Sequence, residues 1–211
     1  EREAEIAKRL LTEITTRIDF LMDVGLSYLT LNRTSNTLSG GESQRIQLAT
    51  SLGSALVGSL YILDEPSIGL HPYDAEQLIK VIQALRDKGN TVVVVEHEEA
   101  FMHAADYLID IGPAAGNLGG EIVAAGLPDT VLAHESSLTA GYLSGKMKIP
   151  QPKELRQANG HIRLEGARQH NLKGFDVDIP LGVFSVVAGV SGSGKSTLIK
   201  KILYPALKKH L

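Results

Sequence analysis

A glycine- and serine-rich run near the C-terminus limits the possible folds more than any other feature of this sequence. It reads Gly189-Val190-Ser191-Gly192-Ser193-Gly194-Lys195-Ser196 and lies between a predicted strand, residues 184–188, and a predicted helix, residues 195–207. This order of strand, glycine-rich turn and helix is the P-loop pattern. Glycines allow successive backbone N–H groups to surround phosphate oxygens, and the helix N-terminus adds positive potential. The chain is therefore predicted to contain an α/β nucleotide-binding fold.

The residues of this loop have distinct predicted contacts with ATP and Mg²⁺. Lys195 is expected to reach the β- and γ-phosphates, and the Ser196 hydroxyl is expected to ligate Mg²⁺. A chance Gly/Ser loop is the alternative, and the flanking strand and helix argue against it. The predicted nucleotide-binding residues of the loop are Gly189, Ser191, Gly192, Gly194, Lys195, Ser196 and Thr197.

An apolar strand that ends in two acids is the second informative element. Residues 60–63 read Leu-Tyr-Ile-Leu and are followed by Asp64 and Glu65. In a Walker B element, such a strand would deliver Asp64 to the sheet edge to hold Mg²⁺ through water. Glu65 would then orient and deprotonate an attacking water. A solvated turn can have the same composition, so the assignment depends on the neighbouring motifs.

Two further motifs flank this strand. Leu38-Ser39-Gly40-Gly41-Glu42 precedes it, and His97 follows the next predicted strand, residues 91–95. At a helix N-terminus, Ser39, Gly40 and Gly41 would form an anion site able to contact a γ-phosphate. Ser39 and Glu42 also fit a capping box, which is a purely structural role. A lone histidine after a strand is commonly a surface residue, but the order of these three motifs favours a functional His97.

In this order the motifs resemble those of the ATP-binding cassette ATPases, and within them the UvrA family. Transporter cassettes usually continue after the Walker B glutamate with a run like Pro-Thr-Ser-Ala-Leu-Asp, whereas this chain has Pro66-Ser67-Ile68-Gly69-Leu70-His71. Residues 105–113, 119–126 and 166–173 are also similar to UvrA sequences. A transporter or translation-factor cassette, or an inactive scaffold fragment, is the alternative.

The resemblance implies partial cassettes with a mostly parallel sheet flanked by helices. Residues 1–58 would be the signature region and 59–143 the Walker B and histidine half of a first cassette. Residues 144–160 would be a linker, and residues 161–211 the P-loop half of a second cassette. In this family each ATP lies between the P-loop and Walker B of one cassette and the signature of the other. The chain is therefore expected to be a fragment that holds halves of two ATP sites.

The resemblance also implies roles and partners. Glu65 and His97 would be catalytic, while Ser39, Gly40 and Gly41 would face the nucleotide held by residues 189–197. The intact protein would recognise damaged DNA and load UvrB in nucleotide excision repair, with ATP and a second UvrA as further partners. The fragment alone is expected to bind nucleotide weakly and hydrolyse it poorly.

The composition argues against a thiolate zinc site, free-standing nucleic-acid binding and a membrane span. The chain has no cysteine, so a thiolate zinc site is not expected in this stretch. Its formal charge of −3 argues against a free-standing nucleic-acid binder. No apolar run approaches the roughly 20 residues needed to cross a bilayer, so a cytoplasmic location without a membrane partner is expected.

Hydrophobic periodicity predicts the remaining elements. Helices are expected over residues 6–21, ended by Gly25, and over 40–52, 74–88 and 98–105. Strands are expected over residues 107–111, 121–125, 162–164 and 175–179. The continuous β-branched run over residues 91–95 predicts parallel strands covered on both faces. The linker over residues 144–160 is compatible with two arrangements of the partial cassettes. Residues 161–211 dock beside residues 60–63, or the two partial cassettes fold apart.

Overall fold

The chain divides into two structural units, Glu1–Pro150 and Gln151–Leu211. The computed structural model describes residues 2–38, 40–53 and 57–210. The boundary between the units lies inside the segment 144–160, whose residues 146–160 form no helix or strand. Each unit is built around its own helices and strands. None of the helices in the described ranges is long and apolar enough to cross a membrane.

The first unit alternates helices and strands. In chain order its helices and strands are α1 (Arg2–Asp23), α2 (Gly40–Leu52), β1 (Leu60–Asp64), α3 (Pro72–Asp87), β2 (Thr91–Val95), α4 (Glu99–Ala104), β3 (Leu108–Gly112), β4 (Glu121–Gly126), α5 (Pro128–Leu132) and α6 (Leu138–Leu143). Short 3₁₀ turns occupy Ser35–Thr37 and Gly116–Leu118. The elements predicted from periodicity in this unit are confirmed to within a few residues, and α5 and α6 are additional.

The local sequence of helix α3 determines where the helix begins, which face it buries and where it ends. His71 caps its N-terminus by accepting a 3.2 Å hydrogen bond from the Tyr73 N–H, and Pro72 supplies a first helical residue that needs no N–H partner. Leu78, Val81 and Leu85 recur on one face and are buried. The next turn follows at Gly89, whose φ of +89° is readily adopted only by glycine.

Strands β1 and β2 form a parallel pair that carries the candidate site. Helix α3 connects them, and the register aligns Asp64 with Val95. The crossover helix makes the parallel pairing feasible, since a parallel pair cannot be joined by a tight turn. The ends of both strands therefore meet at the same sheet edge.

The prediction that these strands are covered on both faces is wrong. Leu63 is buried, and Tyr61, Val92 and Val94 pack on the same apolar core as Leu78. The alternate residues face outward and are exposed to 46–69%: Leu60, Ile62, Val93 and Val95. Side chains alternate across a strand, so helices on one face bury only every second residue. The β-branched run over residues 91–95 correctly indicated a strand, but it did not indicate burial on both faces.

Strands β3 and β4 form an antiparallel pair that α5 and α6 accompany. Asp110 on β3 accepts hydrogen bonds from the hydroxyls of Ser137 (2.6 Å) and Thr139 (2.9 Å). The Ser137 hydroxyl also accepts from the Ala140 N–H at 2.8 Å and so caps α6. This network fixes the short helix α6 against the strand.

The second unit consists of an antiparallel strand pair and a C-terminal helical segment. Strands β5 (His161–Ala167) and β6 (Phe175–Pro180) pair with each other. The helical segment starts at Lys195, is a π-helix over Thr197–Leu203 and continues as α7 (Tyr204–His210). A small apolar core joins these elements: Ala167, Leu172 and Leu198, with Leu164, Val177, Ile199 and Ile202 around them.

Two sequence expectations for the sheets need correction. Residues 184–188 were expected to form the strand before the P-loop, but they form no strand. Phe184 is 95% exposed and Val186 is 72% exposed, so β-prone side chains without a paired neighbour do not make a strand. The sheet was also expected to be mostly parallel. Only β1 and β2 are parallel among the described strands, because the other two pairs are joined by short connections that favour antiparallel pairing.

Candidate functional site

The carboxyl ends of β1 and β2 bring three predicted residues together. Asp64 ends β1, Glu65 follows it, and His97 follows β2. The Nδ1 atom of His97 lies 3.9 Å from Oε1 of Glu65. Both side chains are accessible, with 76% of the His97 side chain and 45% of the Glu65 side chain exposed. The parallel register therefore creates an acid and imidazole pair open to a ligand.

Glu65 has an unusual backbone conformation. Its φ is +45°, in the left-handed region that non-glycine residues rarely adopt. Its N–H donates a 2.9 Å hydrogen bond to the Val95 carbonyl, which continues the sheet pairing by one residue. Strained residues of this kind persist where surrounding bonds hold them, and they cluster at functional sites. The conformation turns the chain sharply after the strand and leaves the Glu65 carboxylate at the edge.

The signature end of α2 packs against the same turn. A Cβ added at Gly41 would lie 3.1 Å from the Ile68 carbonyl oxygen, and the Gln44 amide donates a 3.2 Å bond to the Asp64 carbonyl. Gly40 begins the helix, whereas the predicted signature residue Ser39 lies outside the described residues. The absence of a side chain at position 41 thus allows the close approach of helix and turn.

The predicted cap residue Glu42 has a partner that sequence reasoning did not identify. Glu42 is 8% exposed, and its Oε1 accepts a 2.7 Å hydrogen bond from the Tyr28 hydroxyl. Burial, together with this hydrogen bond, raises the pKa of Tyr28 to about 12. Arg45, one turn further along α2, is buried close enough for its charge to act on Tyr28. The contact ties the start of α2 to the segment after α1.

The P-loop residues form a turn at the start of the C-terminal helical segment. Gly189, Gly192 and Gly194 have φ values of +148°, +74° and +105°. A Cβ at Gly194 would lie 2.7 Å from the Leu172 side chain and 2.9 Å from the Asn171 side chain, and the φ of +105° makes any substitution there strained. The Leu198 N–H donates to the Gly194 carbonyl at 2.9 Å and starts the helical hydrogen bonding. Ser191, Ser196 and Thr197 lie on the same continuous stretch.

Lys195 is folded back onto its own loop. Its Nζ donates to the carbonyl oxygens of Gly189 (2.7 Å) and Val190 (2.8 Å). These carbonyl oxygens accept charge-assisted hydrogen bonds from the ammonium group, as phosphate oxygens also would. A flexible lysine side chain can exchange one set of acceptors for another without moving the backbone.

The chain is similar in sequence to known proteins over almost its whole length. No protein-family model matches the chain. It is 56% identical to UvrABC system protein A of Thermus thermophilus and 58% identical to that of Borreliella burgdorferi, over 99% of the chain in both cases. The chain is UvrA-like over its whole length. It spans 22% of each of these relatives, about a fifth of their length.

Solved structures agree with this assignment. UvrA2 from Deinococcus radiodurans matches 100% of the UvrA-like chain with a TM-score of 0.92 and 43% identity, over 26% of its own length. The archaeal ribosome recycling factor aABCE1, in complex with a ribosomal stalk protein, matches 89% of the chain and 38% of its own, with a TM-score of 0.54 and 22% identity. That likeness shows the fold alone. The expected α/β fold, a partial cassette of the ATP-binding cassette type, is therefore confirmed.

In the UvrA-like chain, two residues that lie beside predicted site residues were not identified by sequence reasoning. Glu96 precedes His97, and its carboxylate accepts a 2.8 Å bond from the Ser67 N–H. Asn171 donates a 3.0 Å bond from Nδ2 to the Gly192 carbonyl in the P-loop. Both lie next to predicted residues, but neither belongs to a motif with a known spacing. Their importance depends on contacts between segments distant in sequence.

The donor atoms present fit Mg²⁺ bound together with a nucleotide. Asp64, at a strand end in the first unit, and Ser196, at the P-loop in the second unit, are both exposed, and each would offer one oxygen to a separate Mg²⁺. Within the described ranges, no group of three or more His, Cys, Asp or Glu side chains is placed to hold a metal alone. Mg²⁺ commonly takes one or two protein oxygens and completes its shell with phosphates and water. The residues therefore suit a metal that arrives with its substrate.

Proposed function

We propose that this chain supplies parts of two ATP sites to a UvrA-type DNA-repair ATPase. The P-loop is the observation that carries the proposal. Its glycines at positions 189, 192 and 194 have φ values that only glycine adopts readily, and they lie directly before a helical segment. Such a turn presents backbone N–H groups and the helix dipole to an anion. A triphosphate fits this combination of shape and charge.

The loop side chains would complete phosphate binding. Lys195 would exchange the Gly189 and Val190 carbonyls for β- and γ-phosphate oxygens. The Ser196 hydroxyl would hold Mg²⁺. When bound, Mg²⁺ would neutralise the charge that develops on the phosphates during transfer.

The first unit would serve a different nucleotide. Asp64 would hold Mg²⁺ through water, Glu65 would take a proton from the attacking water, and His97 would contact the γ-phosphate. The 3.9 Å spacing of Glu65 and His97 supports a shared target. Ser39, Gly40 and Gly41 would instead contact the γ-phosphate of the nucleotide held by the second-cassette P-loop, residues 189–197.

The biological role proposed for the intact protein is damage recognition in nucleotide excision repair. The similarity to UvrABC system protein A supports it. Damaged DNA, UvrB and a second copy of the protein would be its partners, and the cytoplasm its location. ATP binding and hydrolysis would control DNA engagement and UvrB loading.

Calorimetry of Mg-ATP binding to this chain tests the P-loop assignment. Lys195→Ala should weaken binding about tenfold or more, because charge-assisted contacts contribute roughly 1.5–3 kcal/mol each. Lys200→Ala removes an equal charge from an exposed position on the same helical segment and should bind like the wild type. Equal affinities for wild type and Lys195→Ala would overturn the assignment.

Steady-state phosphate release tests the two-site assignment. The chain alone should turn ATP over slowly, because its P-loop and its Glu65 belong to different sites. Rapid hydrolysis that does not depend on protein concentration, and that Glu65→Gln abolishes, would contradict this assignment.

A further inference from the structure

Glu96 connects the two turns that carry the Glu65 and His97 pair. Its Oε1 accepts a 2.8 Å hydrogen bond from the Ser67 N–H. Its Oε2 accepts from the N–H groups of His97 (3.1 Å) and Glu98 (3.4 Å). One carboxylate thus binds three backbone donors, and bonds to an ionised acceptor are stronger than neutral ones.

These bonds hold the turn after β1 at two points. The Glu65 N–H is bonded to the Val95 carbonyl at 2.9 Å, and Ser67, two residues later, is bonded to Glu96. Between these points the chain passes through Glu65 with its φ of +45°. A strained conformation persists only when its surroundings determine it. Glu96 supplies one of the attachments that do so.

The same carboxylate sets the direction of the chain after β2. Its bonds to the His97 and Glu98 N–H groups close a tight turn between the strand and α4. His97 therefore leaves the strand at a fixed angle, and its imidazole comes to lie 3.9 Å from Glu65.

We propose that Glu96 is a positioning residue that fixes the spacing between Glu65 and His97 during ATP hydrolysis. The proposal rests on the proposed function, in which these two residues act on the water and the γ-phosphate. A misplacement of about 1 Å can cost roughly 10²-fold in rate, even when the substituted residue does not touch the substrate. Glu96 should therefore affect turnover more than substrate binding.

Steady-state ATP hydrolysis by the intact protein provides the test. Glu96→Ala should lower kcat about 10- to 100-fold and change KM less than about threefold. Glu96→Gln should be intermediate, because its amide oxygen can still accept from Ser67 while its NH₂ group cannot accept from His97 or Glu98. Glu98→Gln is the matched control, because the Glu98 side chain makes no capping bond at α4, and it should behave like the wild type.

A double-mutant cycle separates this proposal from the proposed function. Glu65→Gln alone should lower kcat by roughly 10²- to 10⁴-fold, to a residual rate that sensitive phosphate-release assays still resolve, and a wild-type rate for this variant would overturn the proposed function. In the Glu65→Gln background, Glu96→Ala should add little, because residues that act as a unit are not additive. A wild-type kcat for Glu96→Ala, an effect confined to KM, or full additivity would overturn the positioning role.

Amide hydrogen exchange at His97 and Glu98 decides the matter if Glu96→Ala does not fold. In Glu96→Gln and wild-type chains, the His97 and Glu98 amides, whose acceptor the glutamine lacks, are compared with amides in the middle of α3. Exchange at least about fivefold faster at His97 or Glu98, with α3 unchanged, supports the role. Unchanged exchange at both amides would refute it.

Discussion

The side chain of Asn171 donates a hydrogen bond from Nδ2 to the carbonyl oxygen of Gly192, at 3.0 Å. This bond links the segment after β5 to the P-loop, and the Asn171 Oδ1 atom lies 2.9 Å from the position that a Cβ of Gly194 would take. The shape of the loop therefore depends on a residue about twenty positions earlier in the chain. Asn171 and the glycines define the cradle together.

Asn171→Ala should weaken Mg-ATP binding about three- to tenfold, which corresponds to the roughly 0.5–1.5 kcal/mol of one hydrogen bond. The loop would lose a lateral support and sample conformations that do not bind phosphate. Calorimetry on this chain measures the effect, with Gln169→Ala, at an exposed neighbouring position, as the control. Identical affinities for Asn171→Ala and Gln169→Ala would show that the loop holds its shape alone.

Gly41→Ala should destabilise the chain relative to Gly53→Ala by about 1 kcal/mol or more, because overpacking against fixed atoms costs energy of this order. The new Cβ at position 41 would lie 3.1 Å from the Ile68 carbonyl, which is backbone and must move with its turn. At position 53 the nearest atoms lie at 3.5–3.6 Å, an ordinary contact distance. Urea unfolding of both variants makes the comparison, and equal midpoints would refute the close-packing argument.

Tyr28→Phe should reduce the loss of stability at alkaline pH. Because the pKa of Tyr28 is raised from 10.0 to about 12 in the folded chain, its contribution is fully present below pH 10. That contribution is lost as the pH rises toward 12, since the unfolded state ionises first.

Unfolding free energies measured between pH 8 and pH 12, roughly the window in which tyrosine ionises, check this prediction. At pH 8 the unfolding free energy of Tyr28→Phe should be about 1 kcal/mol below that of the wild type. Between pH 8 and pH 12 the unfolding free energy of Tyr28→Phe should fall by less than that of the wild type. Tyr107→Phe, at a position 61% exposed, is the control. Parallel pH profiles for Tyr28→Phe and the wild type would contradict the assignment of the shift to Tyr28.

The isolated chain should not bind duplex DNA tightly at physiological salt. Its formal charge is −3, and its basic residues are dispersed apart from a modest enrichment over residues 146–173. Fluorescence anisotropy should give similar, weak binding for damaged and undamaged duplexes. Submicromolar, lesion-selective binding would place a DNA-reading surface within these residues.

Much of the site could be predicted from local patterns. The P-loop, the acid pair after β1 and His97 after β2 are each defined by residues close in sequence, and parallel pairing requires the strand ends to meet. Helix α3 followed from hydrophobic periodicity because Leu78, Val81 and Leu85 are buried on one face. Residues 184–188 show the limit of this approach, because a β-prone segment becomes a strand only when another strand pairs with it.

Sequence alone therefore determined which residues could act on a nucleotide and in what order they occur, since those properties depend on residue type and short spacing. Tertiary structure alone decided that Glu96 joins two turns, that Gln44 and Gly41 approach the turn after β1, and that Asn171 supports the P-loop. Each of these contacts joins segments far apart in the chain. Their geometry depends on strand register and helix packing, which no local pattern encodes.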